Sequence, residues 1–397
     1  MSWGITLQFD GYPPFDIDSM HPIVCLGTHF YSYRTNSTNG SFTANFTYPR
    51  PPMTQAKKYG YTGGYFWRVG NVVPPNAVNS VSIGDTAMSA NYKLHGAGGS
   101  IYAYAAVYSS AFADYTGVFT TDSYGMVTNN KGMQTVFSYT HAPMRVKSKY
   151  EISIPANTKM KIIEIPDLER PLSGAESVQV FVGTKNNEVG FASELIPVSG
   201  YDWQHGARLK LWFFNPNVSQ GGVRDITGSS SHVATTLYLI VADANNDSEG
   251  TGWSMVIKNK SGIVSFSKDQ IPLLAKGVLY IAKQPYIEWP KPNNPFGVPK
   301  PIPSSLDGTI LMPVGIHSRT SYVFEISGSS SFWTGFCPMY FYNNEVRHCF
   351  LATKRVASSG SSVPHGYRTD KSRHTGVMNN EYKIPAIRAM DYFQSLN

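Results

Sequence analysis

The sequence is poor in charged residues, which make up only 15% of its 397 positions. Soluble globular proteins average roughly a quarter. Surface helices carry a charged face along their length, and this chain has almost none of that patterning. The scarcity of charge argues against a mainly helical protein and favours one built from short apolar runs between turns.

Cysteine is also scarce, with three residues in the chain: Cys25, Cys337 and Cys349. Three cysteines do not make a disulfide framework. Cys337 and Cys349 could pair with each other, but we favour buried free thiols. Met1 is not followed by the basic and apolar segments of a signal peptide, and no apolar run approaches the roughly 20 residues that span a bilayer. We therefore expect synthesis in a cytoplasm and no membrane insertion.

Positive charge is not concentrated along most of the chain. The net charge is +7 and the longest basic run is Lys57-Lys58, whereas nucleic-acid-binding proteins gather lysine and arginine on one face. Nucleic acid is therefore not an expected partner. The C-terminal region differs, because the basic residues between Arg347 and Arg373 face few acids. A solvated basic surface and contact with an acidic partner are both open interpretations.

Aromatic residues are abundant, at 13% of the chain, and 25 of them are tyrosines. Short apolar runs alternate with turns rich in glycine, asparagine and serine, as at 178–182, 190–196, 208–214 and 234–242. This spacing is typical of antiparallel sandwiches and barrels. The sequence therefore predicts an all-β protein made of several antiparallel β-sandwich-like modules.

The stretch 253–272 has the pattern of a β-hairpin. Trp253, Met255 and Ile257 alternate with smaller or polar residues, which is the period-two signature of a half-buried strand. A polar turn follows, the alternation resumes on a return strand, and Pro272 ends the stretch, as expected of a residue that cannot donate to a sheet ladder. We interpret this stretch as a unit around which the chain is organised.

Two other stretches repeat the pattern. The stretch 124–143 matches without a gap, so that Met126 corresponds to Met255 and Phe137 to Phe266. At the N-terminus the ends also align, with a shift of one residue in the turn. Three copies of one hairpin predict internal duplication of a module, and the copies should superpose. The residues expected to be equivalent at the start of each copy are Trp3, Tyr124 and Trp253.

The three stretches 2–27, 124–146 and 253–277 resemble hairpins in tail proteins of tailed bacteriophages, of the tail-tip or tail-fibre-associated type. The shared features are a strand that opens with Trp or Tyr and glycine, a turn with glycine, and then Phe followed by Asp or Ser and a proline-containing strand. The first copy departs from this pattern with Tyr12-Pro13-Pro14 in its turn. The resemblance implies a virion tail component made in the host cytoplasm, and it brings no catalytic residues.

Length and composition divide the chain into three domains and a linker. We expect an N-terminal β domain at 1–160 with the first two hairpins, a second β domain at 161–283 with the third, and a basic C-terminal β domain at 304–397. The proline-rich stretch 284–303 is predicted to be an extended, semi-rigid linker. One helix is expected at 385–396, where apolar residues have helical spacing.

The densest aromatic patch contains Tyr59, Tyr61, Tyr65 and Trp67, with glycines between them. Flat rings with polar edges suit both sugar rings and partner chains, so these four are the candidate interface or glycan-stacking residues. Core packing and a hairpin loop explain them equally well.

No other motif indicates a catalytic, cofactor or metal site. The stretch 243–249 begins like a calcium loop but lacks the required glycine and distal glutamate, at Ser248 and Ser254; whether it binds a cation is left open. The glycine-rich stretch 95–99 is not continued as a phosphate loop, and nothing fixes the separation of the acids in 164–169. The histidines fit no zinc pattern. We expect no enzyme activity, no cofactor and no metal.

These observations lead to a structural component of a bacteriophage tail, located in the tail tip, the baseplate or a fibre attachment. Its expected partners are other virion tail proteins and further copies of itself, with a host-surface glycan as a further candidate. The alternative is a carbohydrate-binding receptor-recognition module of a fibre. A glycan-cleaving enzyme is the third hypothesis, and it is disfavoured because no catalytic motif supports it.

Overall fold

The structure is a computed structural model. It describes residues 6–16, 21–22, 24–35, 39–47, 58–67, 77–83, 87–95, 99–109, 125–130, 133–138, 144–172, 174–176, 178–199, 203–216, 223–225, 231–243, 256–258, 264–267, 271–281, 296–304, 306–314, 318–326, 329–337, 339–348, 350–358 and 382–396.

The strands are numbered in chain order. The first group is β1 (Thr6–Leu7), β2 (Phe15–Asp16), β3 (His21–Pro22), β4 (Val24–Thr35), β5 (Asn39–Thr47), β6 (Lys58–Trp67), β7 (Ala77–Ile83), β8 (Ala87–His95), β9 (Gly99–Ser109), β10 (Gly125–Asn130) and β11 (Met133–Ser138). The second group is β12 (Arg145–Ile154), β13 (Met160–Ile163), β14 (Gly174–Glu176), β15 (Gln179–Thr184), β16 (Gly190–Pro197), β17 (Ala207–Phe214), β18 (Val223–Asp225), β19 (Thr235–Asp243), β20 (Val256–Lys258), β21 (Val264–Ser267), β22 (Leu274–Ala275) and β23 (Gly277–Ile281). The third group is β24 (Phe296–Pro301), β25 (Ile310–Pro313), β26 (Ser318–Ile326), β27 (Ser329–Cys337), β28 (Met339–Tyr342), β29 (Glu345–His348), β30 (Phe350–Ser358) and β31 (Tyr382–Arg388).

The prediction of an all-β protein is confirmed. Strands account for most of the described residues, which contain no helix of seven residues or more. The strand pairs are antiparallel except for β18 and β30, which run parallel. The described helices are single 3-10 turns at Pro166–Leu168, Lys185–Asn187, Ala389–Asp391 and Gln394–Leu396.

The main core lies between two sheets. One has six strands in the order β12-β19-β15-β25-β31-β23, and the other has three in the order β13-β17-β16. All six residues of β15 are buried, so both faces of the larger sheet are covered at its centre. In β17, Leu209 and Leu211 point into the core while Arg208 and Lys210 between them are half-exposed. The same alternation of apolar and charged residues is visible in the sequence, and it determines which face of the strand is buried.

The smaller sheet also has a second, outer apolar cluster. Trp212 and Phe214 of β17 pack there with Ala192 and Tyr340, and the rings of Phe214 and Tyr340 meet edge to face with centroids 5.6 Å apart. The hairpin β28–β29 covers this cluster because Tyr340 comes from β28. The hairpin thus belongs to the same packed body as β16 and β17.

The predicted boundaries at 161–283, 284–303 and 304–397 do not match the way the sheets divide. The six-stranded sheet takes β12 and β15 from one side of the proline-rich stretch and β25 and β31 from the other. Within that stretch, β24 pairs with β29, so its C-terminal part is a sheet strand rather than a free linker. Prolines fit there because β24 is an edge strand of its described three-stranded sheet.

The predicted helix at 385–396 is wrong. Residues up to Arg388 form β31, which pairs with β23 at one end and with β25 at the other. Ile387 and Phe393, whose spacing suggested a helix, are both buried, but through sheet pairing and two 3-10 turns. Pairing with distant strands overrides local propensity here.

Each of the three repeated stretches contains a pair of antiparallel strands, namely β1–β2, β10–β11 and β20–β21. Their registers differ. Phe137 pairs with Met126, but the aligned Phe266 pairs with Ile257 rather than with Met255, because the third hairpin has a longer turn and a bulge. The residues predicted to be equivalent, Trp3, Tyr124 and Trp253, lie outside the described ranges.

Candidate functional site

The four aromatic residues singled out in the sequence lie on one strand rather than in a loop. Tyr59, Tyr61, Tyr65 and Trp67 occupy alternate positions of β6. In the described structure β6 is an edge strand of the four-stranded sheet β14-β4-β9-β6. Because alternate residues of a strand face the same side of the sheet, the backbone assigns all four to one face.

Cross-strand pairing relates this face to the body of the protein. Gly63 of β6 is aligned with Tyr104 of β9, and Tyr104 is aligned with Phe30 of β4. Aligned residues share a side of the sheet, so the β6 aromatics share the side of Phe30. Phe30 is buried, and its ring meets Trp203 edge-on with centroids 5.1 Å apart.

The acids considered for glycosidic chemistry are engaged in separate ion pairs. Glu164 pairs with Arg208 at 2.7 Å. Asp167 lies 3.5 Å from Lys147 and accepts a short hydrogen bond from Ser148. The two carboxylates therefore have different ion-pair partners. Asp243 closes β19, and the rest of 243–249 lies outside the described ranges.

The ends of the three hairpin stretches come together in the body. After the second stretch, Val146 donates its backbone N–H to Ile271 at 2.9 Å, and Leu273 returns one to Met144 at 2.7 Å. β3, after the first stretch, pairs with β22, after the third, so that Pro22 lies opposite Leu274. The three stretches are therefore anchored at one place.

The C-terminal segment makes hydrogen bonds to the region where the hairpin stretches are anchored. The Tyr392 hydroxyl accepts a hydrogen bond from the backbone N–H of Leu274 at 2.7 Å and lies 3.2 Å from the carbonyl oxygen of Pro272. Its ring is fully buried, and burial raises the pKa of the Tyr392 hydroxyl well above its ordinary value. Lys149 Nζ donates to the carbonyl oxygens of Gly11 and Tyr392, each at 2.9 Å. One tyrosine and one lysine thus connect the first and third hairpin stretches to the C-terminal segment, and Lys149 belongs to β12, the strand that follows the second stretch.

A cleft of about 760 Å³ opens on another side of the body. Two asparagine pairs form its walls: Asn186-Asn187 follows β15, and Asn343-Asn344 is the two-residue turn between β28 and β29. All four have positive φ, between 49° and 61°. In a two-residue hairpin turn with both residues at positive φ, asparagine is one of the few residues other than glycine that are well tolerated.

Sequence reasoning missed this cleft, although a signal was present. Asparagine pairs between apolar runs are turn signals, and both pairs occur in such positions at 186–187 and 343–344. What the sequence does not indicate is that the two turns meet, because they belong to distant segments.

An ion-pair network lies beside the cleft. Arg388 contacts Asp307 at 2.9 Å and Asp391 at 2.5 Å. The hydrogen bond from Arg388 lowers the pKa of Asp307, which is largely exposed. Burial raises the pKa of Asp391 despite the same arginine, because its Oδ2 is buried without a hydrogen-bond partner among the described residues. The two carboxyl groups therefore respond to pH in opposite directions.

We expect this network to give opposite pH dependences in two variants. The lowered pKa of Asp307 means that its pair stabilises the fold above the ordinary aspartate value of 3.8 and loses that effect as the pH falls. The raised pKa of Asp391 means that its ionisation costs stability as the pH rises from 3.8 through the raised value. Thermal midpoints of Asp307→Asn and Asp391→Asn, measured between about pH 3 and pH 7, should thus both converge on the wild type at the acid end, and as the pH rises the Asp307 variant should fall below the wild type while the Asp391 variant rises above it. Identical profiles for both variants would contradict the assignment.

Known proteins offer no guide to the chain, since no family model, curated protein or solved structure matches it. Within the described ranges, no group of three or more His, Cys, Asp or Glu side chains is placed to hold a metal ion. No helix in the described part is long and apolar enough to cross a bilayer. The resemblance to phage tail proteins therefore depends on the three hairpin stretches alone.

Proposed function

We propose that the chain is a structural component of a bacteriophage tail that acts by assembly with other tail proteins and with copies of itself. The proposal assigns it no catalytic role. It is supported by the resemblance of the three hairpin stretches to tail-protein hairpins and by the all-β fold.

The main observation behind the proposal is the strand pairing of the three hairpins. Among the described residues, β1–β2, β10–β11 and β20–β21 are each a two-stranded sheet with no further strand paired to it. An isolated two-stranded hairpin is marginally stable in water, and unpaired strand edges invite pairing with another chain. Three such hairpins in one chain favour completion by strands of neighbouring subunits.

The anchoring of the hairpins supports the same conclusion. Hydrogen bonds at Met144, Ile271 and Leu273 tie the ends of two stretches together, and β3–β22 pairing adds the third. A rigid base lowers the entropic cost of ordering a surface on binding. The hairpins are therefore held from one base, as expected of elements that meet partners in a fixed geometry.

The alternative is recognition of a host-surface glycan through Tyr59, Tyr61, Tyr65 and Trp67. It receives less support, because it depends on the composition of β6 alone. Enzymatic glycan cleavage receives the least support, since no catalytic motif in the sequence favours it and Glu164 and Asp167, two of the acids considered for it, have separate ion-pair partners.

Removing one hairpin should abolish incorporation into particles without unfolding the body. Gly125 and Ser138 lie opposite each other at the base of β10–β11, so a short glycine-serine linker can replace 125–138. We expect a thermal midpoint close to that of the wild type and a roughly tenfold or greater loss of the chain from purified virions, because a missing interface element removes several kcal/mol of binding. Quantitative immunoblotting of purified particles measures the loss.

The matched control changes a turn elsewhere, with Asn343 and Asn344 both replaced by glycine, and should be incorporated normally. A folded deletion variant that enters particles at the wild-type level would refute the role of the hairpin. Absence of the wild-type chain from particles would refute the tail assignment itself.

A further inference from the structure

The cleft between the two asparagine turns is held in shape by hydrogen bonds. The Asn187 side chain donates to the carbonyl oxygen of Gly308 at 2.6 Å and accepts from the N–H of Ile310 at 3.0 Å. On the opposite wall, the carbonyl oxygen of Asn344 accepts from the N–H of Ile302 at 2.9 Å. Both walls are therefore fixed, and a ligand would meet a preformed site of the size usual for small ligands.

The polar groups at the mouth are amides. Asn343 and Asn344 have exposed side chains, and each amide offers two donor hydrogens and an acceptor oxygen. A hydroxyl group both donates and accepts, so it is a good partner for an amide. A row of hydroxyls matches this mouth better than a ligand that only accepts or only donates.

Apolar surface lies next to the amides. Val233 is 58% exposed and lines the cleft, and the half-buried ring of Tyr342 lines it as well. Arg347 lies over the Tyr342 ring, 4.9 Å from its centroid, and is held by Glu345 at 2.7 Å. The ring is thus fixed in place. A ligand with both hydroxyls and C–H faces would use both kinds of surface.

The charges of the lining disfavour an anionic ligand. Among the described residues that line the cleft, two are carboxylates, Glu188 and Asp307, and none is lysine or arginine. The two arginines next to the lining already have carboxylate partners, Arg388 with Asp307 and Arg347 with Glu345. Phosphates, sialic acids and uronic acids would therefore meet two carboxylates, beside arginines whose charge is already paired.

We propose that this cleft binds a neutral oligosaccharide, with the amides of Asn343 and Asn344 hydrogen-bonded to sugar hydroxyls and Val233 and Tyr342 in contact with sugar C–H groups. The proposal goes beyond tail assembly and does not depend on it. The ligand class follows from the combination of amide groups, apolar surface and absent cationic side chains in the described lining.

The test is binding of the full chain to an array of neutral and acidic oligosaccharides, together with NMR titration by concentrated glucose, galactose, mannose and N-acetylglucosamine. We expect binding to neutral members only. The variant with Asn343→Gly and Asn344→Gly keeps the turn, because glycine accepts positive φ, but loses both amides. Its affinity should fall roughly tenfold, the loss expected for two hydrogen bonds.

Asn157→Gly is the matched control, because Asn157 is an exposed asparagine with φ of 61° that does not line the cleft. Its binding should equal that of the wild type. Preference for acidic glycans, or no binding to any neutral sugar, would overturn the proposal. Binding that is unchanged in the double variant but lost on Tyr65→Ala would move the sugar site to β6 and overturn it equally. None of these outcomes bears on incorporation into particles, so the two proposals fail separately.

Discussion

Replacement of Tyr392 by alanine is expected to lower the free energy of unfolding by about 3–5 kcal/mol, the range typical of large-to-small changes at buried aromatic residues. Tyr392 is fully buried in the main core, and its hydroxyl bonds to Leu274, beyond the third hairpin. The substitution would both open a cavity and release the anchor of the hairpin stretches. Urea denaturation monitored by fluorescence measures the change.

Tyr392→Phe separates the two effects. It keeps the ring and leaves the N–H of Leu274 without its partner hydroxyl, which we expect to cost about 1–3 kcal/mol. A loss below about 1 kcal/mol for the alanine variant would contradict the central position of this residue, since even modest cavities cost more than that.

Replacement of Gly206 by alanine is expected to cost roughly 2–6 kcal/mol, combining the strain of a left-handed residue with overpacking. Gly206 has φ of +88°, and an added Cβ would lie 2.1 Å from the carbonyl oxygen of Leu168 and 2.9 Å from the backbone nitrogen of Arg170. The obstacle is backbone, so no side chain can turn aside to make room. Thermal and urea denaturation of the purified variant measure the cost.

Gly11→Ala is the control for the conformational part. Gly11 has φ of +77°, but its added Cβ would have nothing within 4 Å. This variant should lose only about 1–3 kcal/mol, the cost of a left-handed conformation alone. Equal losses at the two positions would mean that the approach to Leu168 does not determine the effect.

The strands of the main body were predictable because each is read from a few neighbouring residues. In β17, Leu209 and Leu211 alternate with Arg208 and Lys210, and this pattern predicts a half-buried strand. The proline-rich stretch was harder to interpret. The proline content of a segment predicts that it is stiff. It does not predict that β25 and β31, which follow this segment, pair with strands that precede it in the sequence.

The candidate site shows the same limit. The aromatic residues of β6 attract attention in the sequence because they are close together, but their register with β9 and β4 decides which side of the sheet they occupy. The cleft depends on two turns that line it from opposite walls, Asn186-Asn187 and Asn343-Asn344, and no local pattern in the sequence records that they lie near each other. The sequence shows where the aromatic and asparagine residues are in the chain, but it does not show which of them lie close together in the fold.

The place of β31 inside the six-stranded sheet has a consequence for biosynthesis. β31 follows both β25 and β23 in the chain, yet it lies between them in the sheet, so the nascent chain carries an open sheet until β31 leaves the ribosome. Strands that pair across such long sequence separations fold slowly. Until they pair, their exposed edges are prone to aggregation. A prematurely terminated chain would lack β31 and Tyr392 and could not close the sheet. The fold therefore makes synthesis of β31 a condition for closing the six-stranded sheet.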